Sequence, residues 1–399
     1  MITQLTMIVI AILILIEILT FIVLREHLYV ISKRKFYISL TVNTILSILL
    51  WFFLIKILTF KGPFDDPGNV VTHLYLTALI CGVVLPRVLL SFLHFSGRLL
   101  KFRKGGHTIW LTRTGIILSL IIFVIIALGS SAGRFNFKTD VVTVRIKGLD
   151  PKISGLKIVQ LSDMHLASFY HHNGLLERLM LRVNSYNPDL IINTGDFVSF
   201  GWREYERFDT ILLKARSRYG NFAVLGNHDM GTYLPDKSES ERAENTLKMI
   251  ELIRASGYRM LNDEHIILNI RGVNIAFIGV KTSGRYPDII HGNLQKAMEG
   301  IDSVDFRMLL AHDPNQWNED VTGKTDVDLT FSGHTHGMQI GVMTKRFRWS
   351  PSKYFYPQWN GLYKEGEQYL YVNRGLGVLA IPFRIWMPPE ITILTLERE

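Results

Sequence analysis

Four long apolar segments crowd the first third of this chain: Leu5–Leu24, Phe36–Phe60, Val71–Phe95 and Ile109–Gly129. Each reaches or exceeds the roughly 20 residues that a helix needs to cross a hydrocarbon core of about 30 Å. Within that core only a helix or a closed barrel satisfies its own backbone. Residues 1–129 therefore read as a four-helix transmembrane region, with the membrane lipid bilayer as the first implied partner. A cleaved signal peptide is the competing reading of the first segment. It lacks a basic n-region and a small-residue cleavage site, and its basic residues follow the apolar run.

The formal charge of +9 is not spread evenly: residues 1–129 hold 12 of the 44 Lys+Arg and 4 of the 35 Asp+Glu, a net +8 against +1 for the remainder. A nearly neutral remainder excludes binding to phosphate backbones through bulk charge, so no nucleic acid partner is expected. The basic excess sorts by loop instead. Arg25, Lys33, Arg34 and Lys35 lie in the first loop and Arg98, Lys101, Arg103 and Lys104 in the third, while the second has Lys61 with Asp65 and Asp66. By the positive-inside rule the first and third loops are cytoplasmic, and the C-terminal domain of this multi-pass inner or cell membrane protein lies on the extracytoplasmic side. Within the spans, Glu17 and Arg87 stand seven and eight residues from the inner ends, about 11–12 Å at 1.5 Å per residue, a depth at which a mutual ion pair is expected. The lone cysteine, Cys81, allows no intrachain disulfide.

From Arg134 onward short apolar runs alternate with turns. A linker at 130–139, reaching on the order of 30 Å, is expected to lead into one large domain at 140–399. Strands are expected at Val141–Ile146, Leu156–Leu161, Leu190–Asn193, Asn221–Leu225, Ile266–Ile270, Val273–Val280, Phe306–Ala311, Leu329–Ser332, Tyr369–Asn373 and Ile391–Leu396. Helices are expected at Asn173–Asn187, whose Leu175, Leu176, Leu179 and Val183 share one face, at Glu204–Arg216 and at Glu241–Ala255. Alternation of this kind is the order of βαβ units, and two sheets packed face to face with outer helices would bury all the strands, an α/β fold.

Five polar motifs close these runs in chain order: Asp163-Met-His165, Gly195-Asp196, Gly226-Asn227-His228-Asp229, His312 and Gly333-His334-Thr335-His336. Most follow a run read as a buried strand, so their side chains emerge together at strand ends, where open α/β sheets place their sites. Seven of them are metal-ligand types: Asp163, His165, Asp196, Asn227, His312, His334 and His336. Singly each motif is common by chance, and a buried Asp or His at a strand end is more often a cap. The ordered set is the pattern of a two-metal hydrolase.

The series resembles the calcineurin-like metallophosphoesterases, and most the membrane-attached bacterial branch, whose end is similar to Tyr371-Val-Asn-Arg-Gly-Leu-Gly followed by Pro388-Pro-Glu-Ile. The resemblance covers roughly residues 140–399, with Ala311 standing where a glycine or serine is common and Met338 where Gly-Gly-Gln often follows the last histidine. It implies a four-layer α/β/β/α metallophosphoesterase sandwich behind the transmembrane region, and a metal-dependent phosphoric ester hydrolase. Two divalent ions about 3.5–4 Å apart need a bridging carboxylate; the resemblance implies Asp196 for it, Asp163, His165 and His336 for the first site, and Asn227, His312 and His334 for the second. Imidazole, carboxylate and amide without thiolate suit manganese first, then iron or zinc. His228 is implied to meet the phosphate and protonate the leaving oxygen, with Asp229 holding its imidazole.

So close to the bilayer, such a domain is expected to hydrolyse a phosphoester of a lipid or cell-envelope precursor. Hydrolysis of soluble nucleotides or phosphoproteins, and a non-catalytic membrane sensor or scaffold, are the alternatives; the last has no need of the acid His228. The stretch Lys345–Gly361 mixes Lys345, Arg346, Arg348 and Lys353 with Trp349, Tyr354, Phe355, Tyr356 and Trp359, which suits a membrane interface and equally a loop packed over the sheet. His171 and His172 read as structural, and Arg374 either as a phosphate contact or as the partner of a surface carboxylate.

Overall fold

The computed structural model describes residues 4–104, 109–344 and 347–399. The uninterrupted apolar stretches become helices: α1 (Gln4–Leu24), extended by a π-helical turn at Arg25–Tyr29; α2 (Lys33–Leu58); α3 (Pro67–Leu79), joined by a second π-helical turn at Ile80–Val84 to α4 (Leu85–Lys104); and α5 (Ile109–Ser131). Ser32 starts α2 by accepting the Lys35 N–H on its hydroxyl. Taken as continuous rods these give four helices long and apolar enough to cross a membrane: Gln4–Tyr29, Lys33–Leu58, Pro67–Leu100 and Ile109–Phe135. Glu17 and Arg87 meet, with Nη1 3.7 Å from Oε1. The guanidinium also donates to Asn43 and Ser47, and Trp51 Nε1 donates to Glu17, pairings that make charge tolerable at that depth.

The chain forms two compact units: Met1–Lys61 with Thr72–Ala132 and Ala380–Phe383, and Gly62–Val71 with Gly133–Leu379 and Arg384–Glu399. Two pieces fall on the other side of the expected boundaries at 129 and 140: the loop between the second and third spans belongs to the second unit, and Ala380–Phe383 to the first.

In that unit the first strands are β1 (Lys138–Ile146), β2 (Lys157–Leu161), β3 (Leu190–Asn193), β4 (Asn221–Ala223), β5 (Tyr258–Met260), β6 (Glu264–Ile270) and β7 (Val273–Val280). A hairpin of β8 (Thr282–Arg285) and β9 (Asp288–His291) precedes β10 (Phe306–Ala311) and β11 (Leu329–Ser332). A second small hairpin, β12 (Val342–Met343) with β13 (Arg348–Trp349), leads to β14 (Gly361–Glu365), β15 (Gln368–Val372) and β16 (Glu390–Arg398). Two six-stranded sheets result, ordered β1-β16-β2-β3-β4-β5 and β14-β15-β11-β10-β7-β6. Because successive strand residues point to opposite faces, Ile158, Leu190 and Ile192 face Ile275, Met308, Leu310 and Phe331 in the core between the sheets. Phe222 and Phe277, one from each sheet, stack there at 4.7 Å and 9°, adding about 0.5–1.5 kcal/mol beyond burial. Their neighbours Val159, Leu161 and Ile191 face outward onto α6 (Asn173–Ser185) and α8 (Glu239–Ala255). On the far face of the second sheet, Ile278 and Leu309 pack against Leu294 and Trp317 from short helical turns. This is the four-layer α/β/β/α sandwich.

The helix expected at Glu204–Arg216 does not form; a 3₁₀ turn at Trp202–Glu204 and the four-residue α7 (Asp209–Leu212) take its place. The Glu204 carboxylate is turned inward and accepts the N–H groups of Ser199, Phe200 and Gly201, which fixes a turn where a helix would start.

Candidate metal centre

All five motifs lie just beyond strand ends. β2, β3 and β4 run parallel, as do β10 and β11, so their C-terminal ends deliver Asp163, Asp196, Asn227, His312 and His334 at one edge of the sandwich. The backbone there is tightly wound: Asp163, His165, Asp196, His334 and His336 all have φ between 39° and 69°, a region L-residues seldom occupy outside functional sites. The glycines of the motifs make this close approach possible. A Cβ at Gly226 would lie 2.1 Å from Asp196 Oδ1, and one at Gly333 would lie 2.0 Å from Ser162 Oγ.

Two groups of three side chains converge: Asp163, His165 and His336, and Asp196, His312 and His334. In the first, His165 Nε2 and His336 Nε2 are 3.1 Å apart, and His336 Nε2 is 3.3 Å from Asp163 Oδ1. In the second, His312 Nε2 is 3.1 Å from both Asp196 Oδ2 and His334 Nδ1. The same Asp196 Oδ2 also lies 4.0 Å from His165 Nε2 of the first group. One carboxylate oxygen thus faces both.

The ring nitrogens turned away from the centre have their own partners. His312 Nδ1 donates to the Thr194 carbonyl at 2.7 Å; His165 Nδ1 is 3.2 Å from Ser199 Oγ; His334 Nε2 is 2.9 Å from the Tyr356 hydroxyl. Such outer bonds select a tautomer and leave the opposite lone pair aimed inward. Burial pushes His165 down to about 3, His334 down to about 4 and His336 well below its ordinary value, so all three are neutral at pH 7.

Whether this donor set fits metal ions is decided by two features. Imidazole nitrogens packed 3.1 Å apart around carboxylates need a cation to share. The Asn227 amide donates its Nδ2 to Tyr233, while its buried Oδ1 has no hydrogen-bond partner, an orphan acceptor that a hard or borderline cation would satisfy. The set fits.

His228 is buried beside this centre, its N–H on Asp196 Oδ1 at 2.9 Å, its Nδ1 on the Ser199 carbonyl at 2.6 Å, and its ring stacked on Tyr233 at 4.1 Å and 7°. The expected hold by Asp229 is not there. The Asp229 carboxylate accepts the N–H groups of Asp196, Phe197, Val198 and Gly226 and so braces the two motif loops, because the side chains of neighbouring residues diverge. Arg374 is a partner of carboxylates: Nη1 is 3.1 Å from buried Glu390 and Nη2 2.9 Å from Asp140. His172 and His171 pack their rings on Phe135 and Tyr170.

The mixed stretch after β12 divides. Lys345 and Arg346 lie outside the described residues; Tyr356 and Trp359 are buried with Met387, whereas Tyr354 and Phe355 are 70% and 49% exposed. Sequence reasoning placed Tyr356 in that stretch without giving it a site role, and it assigned none to Ser199, Tyr233 or Arg384. Arg384, also buried, fans onto backbone carbonyls and sits 3.5 Å from His336 Nδ1.

The family model for calcineurin-like phosphoesterases matches residues 156–338. The uncharacterized metallophosphoesterase YkuE of Bacillus subtilis is 30% identical over 260 residues, 64% of this chain and 84% of that protein. A transmembrane protein with metallophosphoesterase domain from Danio rerio is 28% identical over 71% of this chain, a match that spans only 62% of the fish protein. The UDP-2,3-diacylglucosamine pyrophosphatase LpxG of Chlamydia muridarum is 27% identical over 61% of this chain and 84% of its own length. On this evidence of descent, and with a fold and converging donors of the matching kind, the chain belongs to the calcineurin-like metallophosphoesterases, metal-dependent hydrolases of phosphoric esters, here in a membrane protein.

Proposed function

We propose that this hydrolase acts on a phosphoester of a lipid or cell-envelope precursor, on the extracytoplasmic side of the membrane. One observation carries the lipid part. Among the described residues of the second unit, all five exposed aromatic side chains, Tyr286, Phe347, Tyr354, Phe355 and Trp386, sit on segments bordering the paired clusters. Phe355 precedes Tyr356, which bonds His334; Tyr286 packs edge-to-face on Phe355 at 6.1 Å; Trp386 precedes Met387, which packs on Tyr356 and Trp359. Exposed apolar groups gathered at the rim of a polar site suit a substrate with a phosphoryl head and a greasy body. The name of the Chlamydia relative, a pyrophosphatase of a diacylated sugar nucleotide, supports the same class. The side follows from eight Lys+Arg in the first and third loops against one in the second.

Asp163, His165 and His336 are assigned to one divalent ion, Asn227, His312 and His334 to the other, and Asp196 between them, with manganese first and iron or zinc as substitutes. Two such cations, when bound, supply positive charge to the phosphoryl oxygens and lower the pKa of water. His228, whose Nδ1–H donates to the Ser199 carbonyl, presents Nε2 to the site; as the imidazolium it passes its Nε2 proton to the leaving oxygen and is left as the neutral ring.

The test is a turnover panel on full-length protein, stripped by chelator and reloaded with Mn, Zn or Mg. Activity should vanish on stripping and return with metal. A lipid-linked phosphodiester in mixed micelles should exceed soluble diesters and nucleotides in kcat/KM by about tenfold or more, roughly the 1.4 kcal/mol that burying two methylenes supplies. Equal or reversed preference sinks the lipid reading and favours a soluble substrate.

A further inference from the structure

The loop Gly62–Val71 is part of the second compact unit although it connects two membrane helices. Its Asp65 is 1% exposed. Arg203 Nη1 donates to both Asp65 oxygens, at 3.0 and 3.3 Å, and the Arg203 backbone N–H reaches Oδ2 at 3.4 Å. Phe64 sets its ring edge-to-face on Phe200 at 4.7 Å. Between these contacts the chain passes so close that a Cβ on Gly201 would lie 2.6 Å from Asp65 Oδ2.

The segment gripped in this way, 200–203, directly follows Ser199. Ser199 bonds both histidines of interest: its carbonyl accepts His228 Nδ1 at 2.6 Å and its hydroxyl lies 3.2 Å from His165 Nδ1. A second strut reaches the same place, since Asn245 accepts the Trp202 N–H and donates to the Asp229 carbonyl, one residue past His228. We propose that Asp65 is a positioning residue for His228: by clamping the 200–203 turn through Arg203 it fixes the Ser199 carbonyl that aims the catalytic ring. The loop between two spans is thereby a working part of the active site. This rests on the role assigned to His228.

The experiment is a double-mutant cycle on full-length, Mn-loaded protein with a soluble diester whose alkoxide leaving group needs a proton, glycerophosphocholine. Asp65→Asn should lower kcat about tenfold while KM stays within about twofold, and Asp65→Glu should recover most of the loss. Metal content should not change. In the His228→Ala background Asp65→Asn should alter kcat by less than about twofold, because the ring it aims is gone. An equal fold-loss in both backgrounds overturns the proposal in favour of a merely structural loop, and an unchanged kcat in the Asp65→Asn single variant also overturns it. Full turnover by His228→Ala removes the assignment beneath it, a separately visible outcome that takes the proposal with it. Arg203→Gln, at the more exposed end of the pair, repeats the cycle should Asp65→Asn fold poorly.

Discussion

At the residue scale, the side chains that sequence reasoning missed are those that support the centre from outside. Tyr356 is the most testable. Its hydroxyl accepts from His334 Nε2–H, and burial raises its own pKa further above the ordinary phenol value, so it stays a neutral acceptor throughout the working pH range. Tyr356→Phe removes that oxygen and keeps the ring that packs on Trp359 and Met387. Metal affinity, measured by chelator competition, should fall about 10–100-fold while thermal stability without metal barely moves; unchanged affinity would mean that His334 needs no outer partner. The converging donors were legible because their motifs follow apolar runs, and three of the five motifs open on a glycine, Gly195, Gly226 or Gly333, that lets two loops touch. Tyr356, Ser199 and Arg384 were not, because their roles are hydrogen bonds made across the fold between residues far apart in the chain. Asp229 misled for the opposite reason. It is next to His228 in sequence and points elsewhere in space.

At the scale of elements, β2, β3, β4, β6, β7, β10 and β11 were readable from short apolar runs ending in turns, and α6 from its one-sided leucines, whereas the three-residue β5 was not. The hairpins β8–β9 and β12–β13 carry no comparable run, and the stretch after Glu204 looked helical because nothing in its composition shows that Glu204 is spent on three N–H groups. Helix α8 shows local rules holding: Ser238 accepts the Glu241 N–H, and the Glu241 carboxylate answers to Ser238 and to Lys237. Ser238→Ala should cost about 1 kcal/mol of helix stability. The hydrogen bond from Lys237, aided by those from Ser238, holds Glu241 down to about 2. A lowered carboxyl pKa contributes stability above its unfolded value and loses it as pH falls toward the folded one. The melting-temperature gap between wild type and Glu241→Gln should therefore narrow as pH drops from about 5 to about 3. A constant gap over that range would show that the carboxylate charge plays no part in the cap.

At the scale of the whole molecule, an even number of spans puts the loop between the second and third on the same face as the C-terminal unit, and the topology proposed above from the loop charges takes that face as extracytoplasmic. A thiol placed at Glu367, in the exposed turn between β14 and β15, in a Cys81→Ser background, should react with an impermeant reagent on intact cells. Protection until lysis would place the chemistry in the cytoplasm and end the envelope-substrate proposal. The loop that carries Asp65 also bears on how this protein is made and handled. It is synthesised 138 residues ahead of Arg203, so the membrane hairpin is laid down first and the later chain closes around it. A soluble fragment cut at Gly133, the convenient one to purify, would be missing part of its own interior.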